Sequence, residues 1–211
     1  MIRIVIDAEQ PAEQTLADAA RVLAEGGVIA FPTDTLYGLA ADPRSDEAVR
    51  RIFRVKGRPP DSALPLIAAS AAQAEAFANA WPPLARQLAE RFWPGPLSLV
   101  VGASDRLGTE VLAGGATVAV RVPAHAVAVG LARHLGAPVT ATSANRSGQA
   151  PAVTADEVLW ALADAVDVAL VLDAGACRGG APSTLVDVTG AEPRLVRAGA
   201  VPWERVLESL Q

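Results

Sequence analysis

Apolar and polar positions run in two periods along this chain. In residues 10–25, Leu16, Ala19, Ala20 and Leu23 recur at helical spacing before Gly26-Gly27, which predicts an amphipathic helix and its stop. Val28 to Phe31 reads as a short buried strand running into Pro32-Thr33-Asp34-Thr35. Ser45 followed by Asp46 and Glu47 is a helix start, with Val49, Ile52 and Phe53 as the apolar face. That helix is expected to end near Val55, leaving Lys56 and Arg58 in the following loop. Further strands are predicted over 64–68, 97–101, 117–122, 138–142, 168–172 and 184–188. Helices are predicted over 71–78, 83–92 and 124–135, after Thr154, and from Pro202.

Strands and helices thus alternate without a repeat or a linker, which predicts an α/β fold. The expectation is one domain over 1–211, a twisted mixed parallel/antiparallel sheet with flanking helices. Strand order is not readable from the pattern. Composition narrows the class: 51% of the 211 residues are hydrophobic, enough for a sizeable core, so disorder is excluded as the main state. No stretch of eighteen apolar residues predicts a membrane span. The opening MIRIVIDAEQ lacks a signal-peptide pattern, and a single cysteine, Cys177, suits a reducing compartment; a cytoplasmic location is the expectation.

Net charge is −5, which does not advertise nucleic-acid binding. Lys56 is the only lysine and sits in Lys56-Gly57-Arg58-Pro59. Where a compact ammonium must meet a phosphate, Arg is no substitute. Familiar sites are missing: no Walker A loop, no G-x-G-x-x-G after a strand, and no G-x-S-x-G elbow. His125 and His134 are nine apart, a spacing that does not pair them on one helix face for a metal. Cys177 reads as a buried or inert thiol, and Gly175 to Gly180 as a turn. What remains are polar loops at strand ends: Pro32 to Gly38, Lys56 to Pro59, Arg121, Thr142 to Gly148, and Ser183-Thr184. Any one could be ordinary turn chemistry. Together, their hydroxyls, amide and cations form a kit for holding phosphate oxygens.

The segments GGVIAFPTDTLYGLA, IFRVKGRPP, TVAVRVPAH, TSANRSG, STLVD and LVRAG, in this order over about residues 10–200, resemble the YrdC/Sua5 family. Lys56, Arg58, Ser143 and Asn145 match its K-x-R … S-x-N signature. The resemblance implies a mixed α/β sheet lining a positively charged cleft, and the short single-domain form without an added Sua5 domain. It also implies an activity: L-threonine, bicarbonate or CO2, and ATP give threonylcarbamoyl-AMP and pyrophosphate, for N6-threonylcarbamoyladenosine in tRNA. Mg²⁺ would accompany ATP. Carried over by position, Lys56 and Arg58 are the catalytic phosphate-binding pair, and Ser143, Asn145, Thr117 and Arg197 further ATP contacts. Thr33, Arg121 and Ser183 are the threonine contacts, with Arg121 on the carboxylate. Tyr37 matches a family position that packing could equally explain. No protein metal ligand is implied. Two departures stand out: the segment after K-x-R-P has no histidine, and Ala150-Pro151 replaces a common serine. Expected partners are the substrates, a downstream threonylcarbamoyl transferase complex and direct contact with tRNA. The alternative is a tRNA- or rRNA-binding factor without synthase activity.

Overall fold

The computed structural model describes residues 1–57, 59 and 62–211. Eleven strands and seven helices are described, in the order β1 (Ile2–Val5), α1 (Glu13–Ala24), β2 (Val28–Pro32), β3 (Tyr37–Ala40), α2 (Asp46–Lys56), β4 (Leu66–Ile67), α3 (Ala71–Ala76) and α4 (Pro83–Phe92). There follow β5 (Leu97–Gly102), β6 (Thr117–Arg121), α5 (Ala126–Leu135), β7 (Val139–Thr140), β8 (Thr142–Ser143), α6 (Ala155–Ala161), β9 (Val168–Asp173), β10 (Thr184–Asp187), β11 (Arg194–Arg197) and α7 (Trp203–Glu208). Parallel and antiparallel pairs are mixed as expected, but they divide between two sheets. One has the order β1-β9-β2-β3-β8 and the other β11-β10-β5-β6-β4-β7.

Burial explains the division. In β2, Val28 and Ala30 join the larger core while Ile29 and Phe31 join a smaller one with α1 and α5, so this strand is covered on both faces. Helices α1 and α5 meet closely at Gly130, where an added Cβ would lie 2.5 Å from Leu16 Cδ1. The larger core takes the apolar face of α2 together with residues from both sheets.

Three expectations change. Helix α2 runs through Lys56, because Gly57 adopts the left-handed conformation (φ 64°) that stops the helix one residue later than the K-G-R-P reading allowed. Lys56 is therefore 4% exposed at a helix end, not in a solvated loop. The strand expected over 138–142 is two short strands in different sheets: β7 pairs β4, β8 pairs β3, and the chain changes sheet at Ala141. The strand expected over 64–68 is only Leu66–Ile67. Strands β1, β3 and β11 were not in the sequence reading at all.

Candidate functional site

The two sheets frame a cavity of ≈ 530 Å³. Its wall on the second sheet follows from strand register. Arg197 pairs with Leu185 across β11 and β10, Leu185 pairs with Ser98 across β10 and β5, and Arg121 ends β6 one step beyond the Leu99–Val120 pair. Arg197, Leu185, Ser98 and Arg121 thus form one cross-strand row, and all four line the cavity. Thr33, Ser143, Asn145 and Ser183 line it as well.

The first sheet contributes through β3 and β8. Gly38 pairs with Ser143, and the amide of Ala144 donates to the Tyr37 carbonyl, which fixes the start of the S-x-N segment. Lys56 Nζ donates to the Ser143 carbonyl (2.7 Å), to Asn145 Oδ1 (3.0 Å) and to Ser143 Oγ (3.2 Å). Ser143 Oγ donates to the same Asn145 oxygen, and Asn145 Nδ2 donates to the Gln149 carbonyl at 2.6 Å. Lys56 of the K-x-R half and the S-x-N half are thus one hydrogen-bonded unit, 87 residues apart in sequence at Lys56 and Ser143. Arg58 lies outside the described residues.

Thr33 closes the turn between β2 and β3: its hydroxyl donates to the Leu36 carbonyl and accepts from the amides of Thr35 and Leu36. The turn chemistry and the place in the cavity wall coexist. Arg121 Nη1 donates to Asp34 Oδ1 at 2.5 Å, with both side chains about a tenth exposed. Arg197 Nη2 donates to the Ser183 carbonyl (2.9 Å) and hydroxyl (3.2 Å), and Ser183 Oγ meets Ser98 Oγ at 2.9 Å. Burial first, and then the neighbouring charge of Arg121, hold the Arg197 guanidinium below its ordinary pKa. Two cations close enough to repel, both facing one cavity, favour an anion there. Thr117 stands apart. It is exposed at the start of β6, on the strand face of Ala119 and Arg121, but is not among the lining residues.

Tyr37 is buried, and burial pushes its phenol well above the ordinary value, so it stays a donor. It donates to the Gly175 carbonyl at 2.8 Å and toward Asp173 Oδ1 at 3.4 Å, tying the 174–183 segment to β3. Gly199 of LVRAG is explained by close approach: a Cβ there would lie 2.3 Å from the Pro182 carbonyl oxygen and 2.5 Å from the Thr184 nitrogen. Cys177 is pushed up to about 11 by burial, in agreement with an inert thiol. Sequence reasoning missed Ser62, Ser98 and Gln149 in the wall; only Ser98, polar inside the apolar run Leu97 to Val101, carries a signal, while Thr35 of the wall belongs to the candidate loop Pro32 to Gly38. Among the described residues no cluster of three His, Cys, Asp or Glu could hold a metal, and no helix is long and apolar enough to cross a membrane.

Comparison with known proteins agrees with this geometry. A Sua5/YciO/YrdC family profile, described as "Telomere recombination", matches residues 21–199. The chain belongs to the Sua5/YciO/YrdC family. Among its relatives, the threonylcarbamoyl-AMP synthase of Pyrococcus abyssi is 39% identical over 204 residues, 96% of this chain and 59% of the relative. That of Thiobacillus denitrificans is 42% identical over 176 residues, 83% of this chain and 91% of the relative. The crystal structure of P. abyssi Sua5 complexed with L-threonine superposes with a TM-score of 0.93 at 38% identity, covering 100% of this chain and 61% of that one. This chain therefore spans less than two thirds of the Pyrococcus member's length.

Proposed function

We propose that this protein is a threonylcarbamoyl-AMP synthase. The observation that carries the reading is the cavity between the sheets. One side holds Ser143 and Asn145, with Lys56 hydrogen-bonded behind them, and the other holds Arg121 and Arg197 in one cross-strand row. The synthase names of the relatives, and a threonine complex of one of them, support it.

The reaction is L-threonine + bicarbonate + ATP → threonylcarbamoyl-AMP + pyrophosphate + water. The threonine amine takes up the carbon of bicarbonate or CO2 to give a carbamate. One carbamate oxygen then attacks the α-phosphorus, and the bond to the β-phosphate bridging oxygen breaks as pyrophosphate leaves. Such chemistry asks mainly for positioning and for cations around the phosphates. Arg121 presents a fork to the threonine carboxylate, and Thr33 and Ser183 offer hydroxyls beside it. Arg58, Ser143, Asn145 and Arg197 hold the phosphates, Lys56 supplies its charge from behind Ser143 and Asn145, and Thr117 stands toward the nucleotide. Mg²⁺ enters with its substrate as MgATP, bound by phosphate oxygens and water, a mode common for this ion. The product is a reactive mixed anhydride, which accounts for a transferase complex acting on tRNA as its consumer.

Pyrophosphate release from ATP and Mg²⁺, with and without L-threonine and bicarbonate, tests the reading. Release that requires both is the expected result. Release that ignores threonine, or none from folded protein that binds ATP, overturns it.

A further inference from the structure

The two arginines of the cavity are compensated unequally. Arg121 has a buried carboxylate partner in Asp34, whereas Arg197 donates only to the carbonyl and hydroxyl of Ser183 among the described residues. Asp34 does not line the main cavity. It lines a neighbouring one of ≈ 400 Å³, and Thr33 and Thr35 belong to the wall of both. Its carboxylate is held twice, by Arg121 Nη1 on Oδ1 at 2.5 Å and by the Ala124 amide on Oδ2 at 3.2 Å. Turning into the main cavity would break both bonds. Arg121 in turn makes no other side-chain hydrogen bond among the described residues, so its remaining N–H groups serve the cavity.

Of the other titratable groups here, Arg178 lines the same neighbouring cavity but makes no ion pair with Asp34 among the described residues. His125, which feels Asp34, Glu9 and Arg121, is held below its ordinary pKa by burial and is neutral near pH 7. The field is therefore uneven: Arg121 still adds to it, as its effect on Arg197 shows, but its charge is compensated by Asp34 where that of Arg197 has no carboxylate partner among the described residues. A carboxylate needs a planar pair of donors, which a guanidinium supplies even when its charge is balanced. A phosphate carries on the order of −1.5 to −2 charges at pH 7 and meets the Asp34 carboxylate just behind the fork. Selectivity built by repulsion costs the wrong ligand more than the right one.

We propose that Asp34 is a specificity-determining residue: by holding Arg121 and balancing its charge, it makes this end of the cavity accept a single carboxylate and refuse phosphate. The proposal rests on the reading of Arg121 as the threonine-carboxylate contact. Triphosphate groups are thereby directed toward Arg197 and Lys56, and threonine toward Arg121.

The test is equilibrium dialysis of labelled L-threonine with a saturating non-hydrolysable ATP analogue and Mg²⁺ present, using inorganic phosphate as competitor. In the wild-type protein, phosphate at fifty times the threonine Kd should leave threonine bound; displacement there overturns the proposal without any variant. In Asp34→Asn the ratio of phosphate to threonine dissociation constants should fall at least tenfold, while Asp34→Glu stays within threefold of wild type. Equal ratios in all three proteins overturn it, as does Asp34→Asn that is folded and has lost threonine binding altogether. Wild-type protein that binds no threonine at all defeats instead the functional reading beneath.

Discussion

Replacing Lys56 with alanine should unfold part of the site as well as disable it. Lys56 is 4% exposed, and its ammonium donates to three oxygens, two of them within 3.0 Å. Hydrogen bonds to a charged group contribute ~1.5–3 kcal/mol each. Two effects reduce the sum. The ammonium's own desolvation is relieved by the deletion, and each main acceptor keeps another donor: the Asn145 amide on the Ser143 carbonyl, and Ser143 Oγ on Asn145 Oδ1. A net loss of ~2–4 kcal/mol remains. In a chain of this size that corresponds to about 4–16 °C in Tm. Calorimetry on ligand-free protein reads it, alongside pyrophosphate release, where a loss of more than about tenfold is expected from removing a cation at the phosphates. Lys56→Met keeps most of the stem and removes the charge, so the difference between the two variants isolates packing from hydrogen bonding. Alanine protein melting within about 2 °C of wild type, less than one such hydrogen bond is worth, would refute the buried-unit picture and restore a solvated loop lysine.

Three other outcomes are expected. Asp173 is held below the ordinary carboxylate range by the Gly175 amide, Arg3 and Tyr37, against the opposing pull of burial. A depressed carboxylate stabilises the fold above its unfolded pKa and loses that contribution as pH falls, so stability should decline from about pH 4 downward; Asp173→Asn should flatten that acid limb in urea titrations, and an unchanged limb would contradict the assignment. Cys177, pushed up to about 11, should be alkylated by iodoacetamide at pH 8 at least about tenfold more slowly than a free thiol, and Cys177→Ser should retain activity. Gly199→Ala forces a Cβ against the Pro182 to Thr184 backbone, costing roughly 1–3 kcal/mol and moving Ser183, so the KM for threonine should rise as well as Tm fall; a variant with wild-type KM would uncouple Gly199 from the site.

Most long elements were legible because their period and caps agree. Ser45 caps α2 and Thr154 forms a capping box with Glu157, each where the sequence reading started a helix. The errors sit where length or register decides. Tyr37–Ala40 is fully buried on both faces and follows a loop motif, so it shows no alternation to read. The 138–142 segment looked like one strand because a change of sheet at Ala141 leaves no mark in hydropathy. Six of the nine expected site residues line the cavity, and Lys56 stands directly behind Ser143 and Asn145. Asp34 lies in the candidate loop Pro32 to Gly38 without a role of its own, because an acid in a turn reads as turn chemistry; only the fold shows Arg121 against it.

The cavity lies where the chain passes between sheets, and this has a thermodynamic consequence. Three crossings join them: β3 to β4 by way of α2 and Lys56, β7 to β8 at Ala141 leading into Ser143 and Asn145, and residues 174–183 delivering Ser183 from β9 to β10. A ligand set gripping Lys56, Ser143 and Asn145 on one side and Arg121 and Arg197 on the other joins the two sheets. Each ligand alone at 100 times its Kd stabilises by about 2.7 kcal/mol, roughly 5–11 °C here. Independent sites would give additive shifts. Bridging predicts that L-threonine and a non-hydrolysable MgATP analogue together raise Tm by more than the sum, since the first ligand orders the gap the second must enter. Thermal scans at fixed multiples of each Kd decide between the two. Strictly additive shifts would mean that the sheets are already rigidly joined without ligand, and that the cavity wall contributes geometry alone.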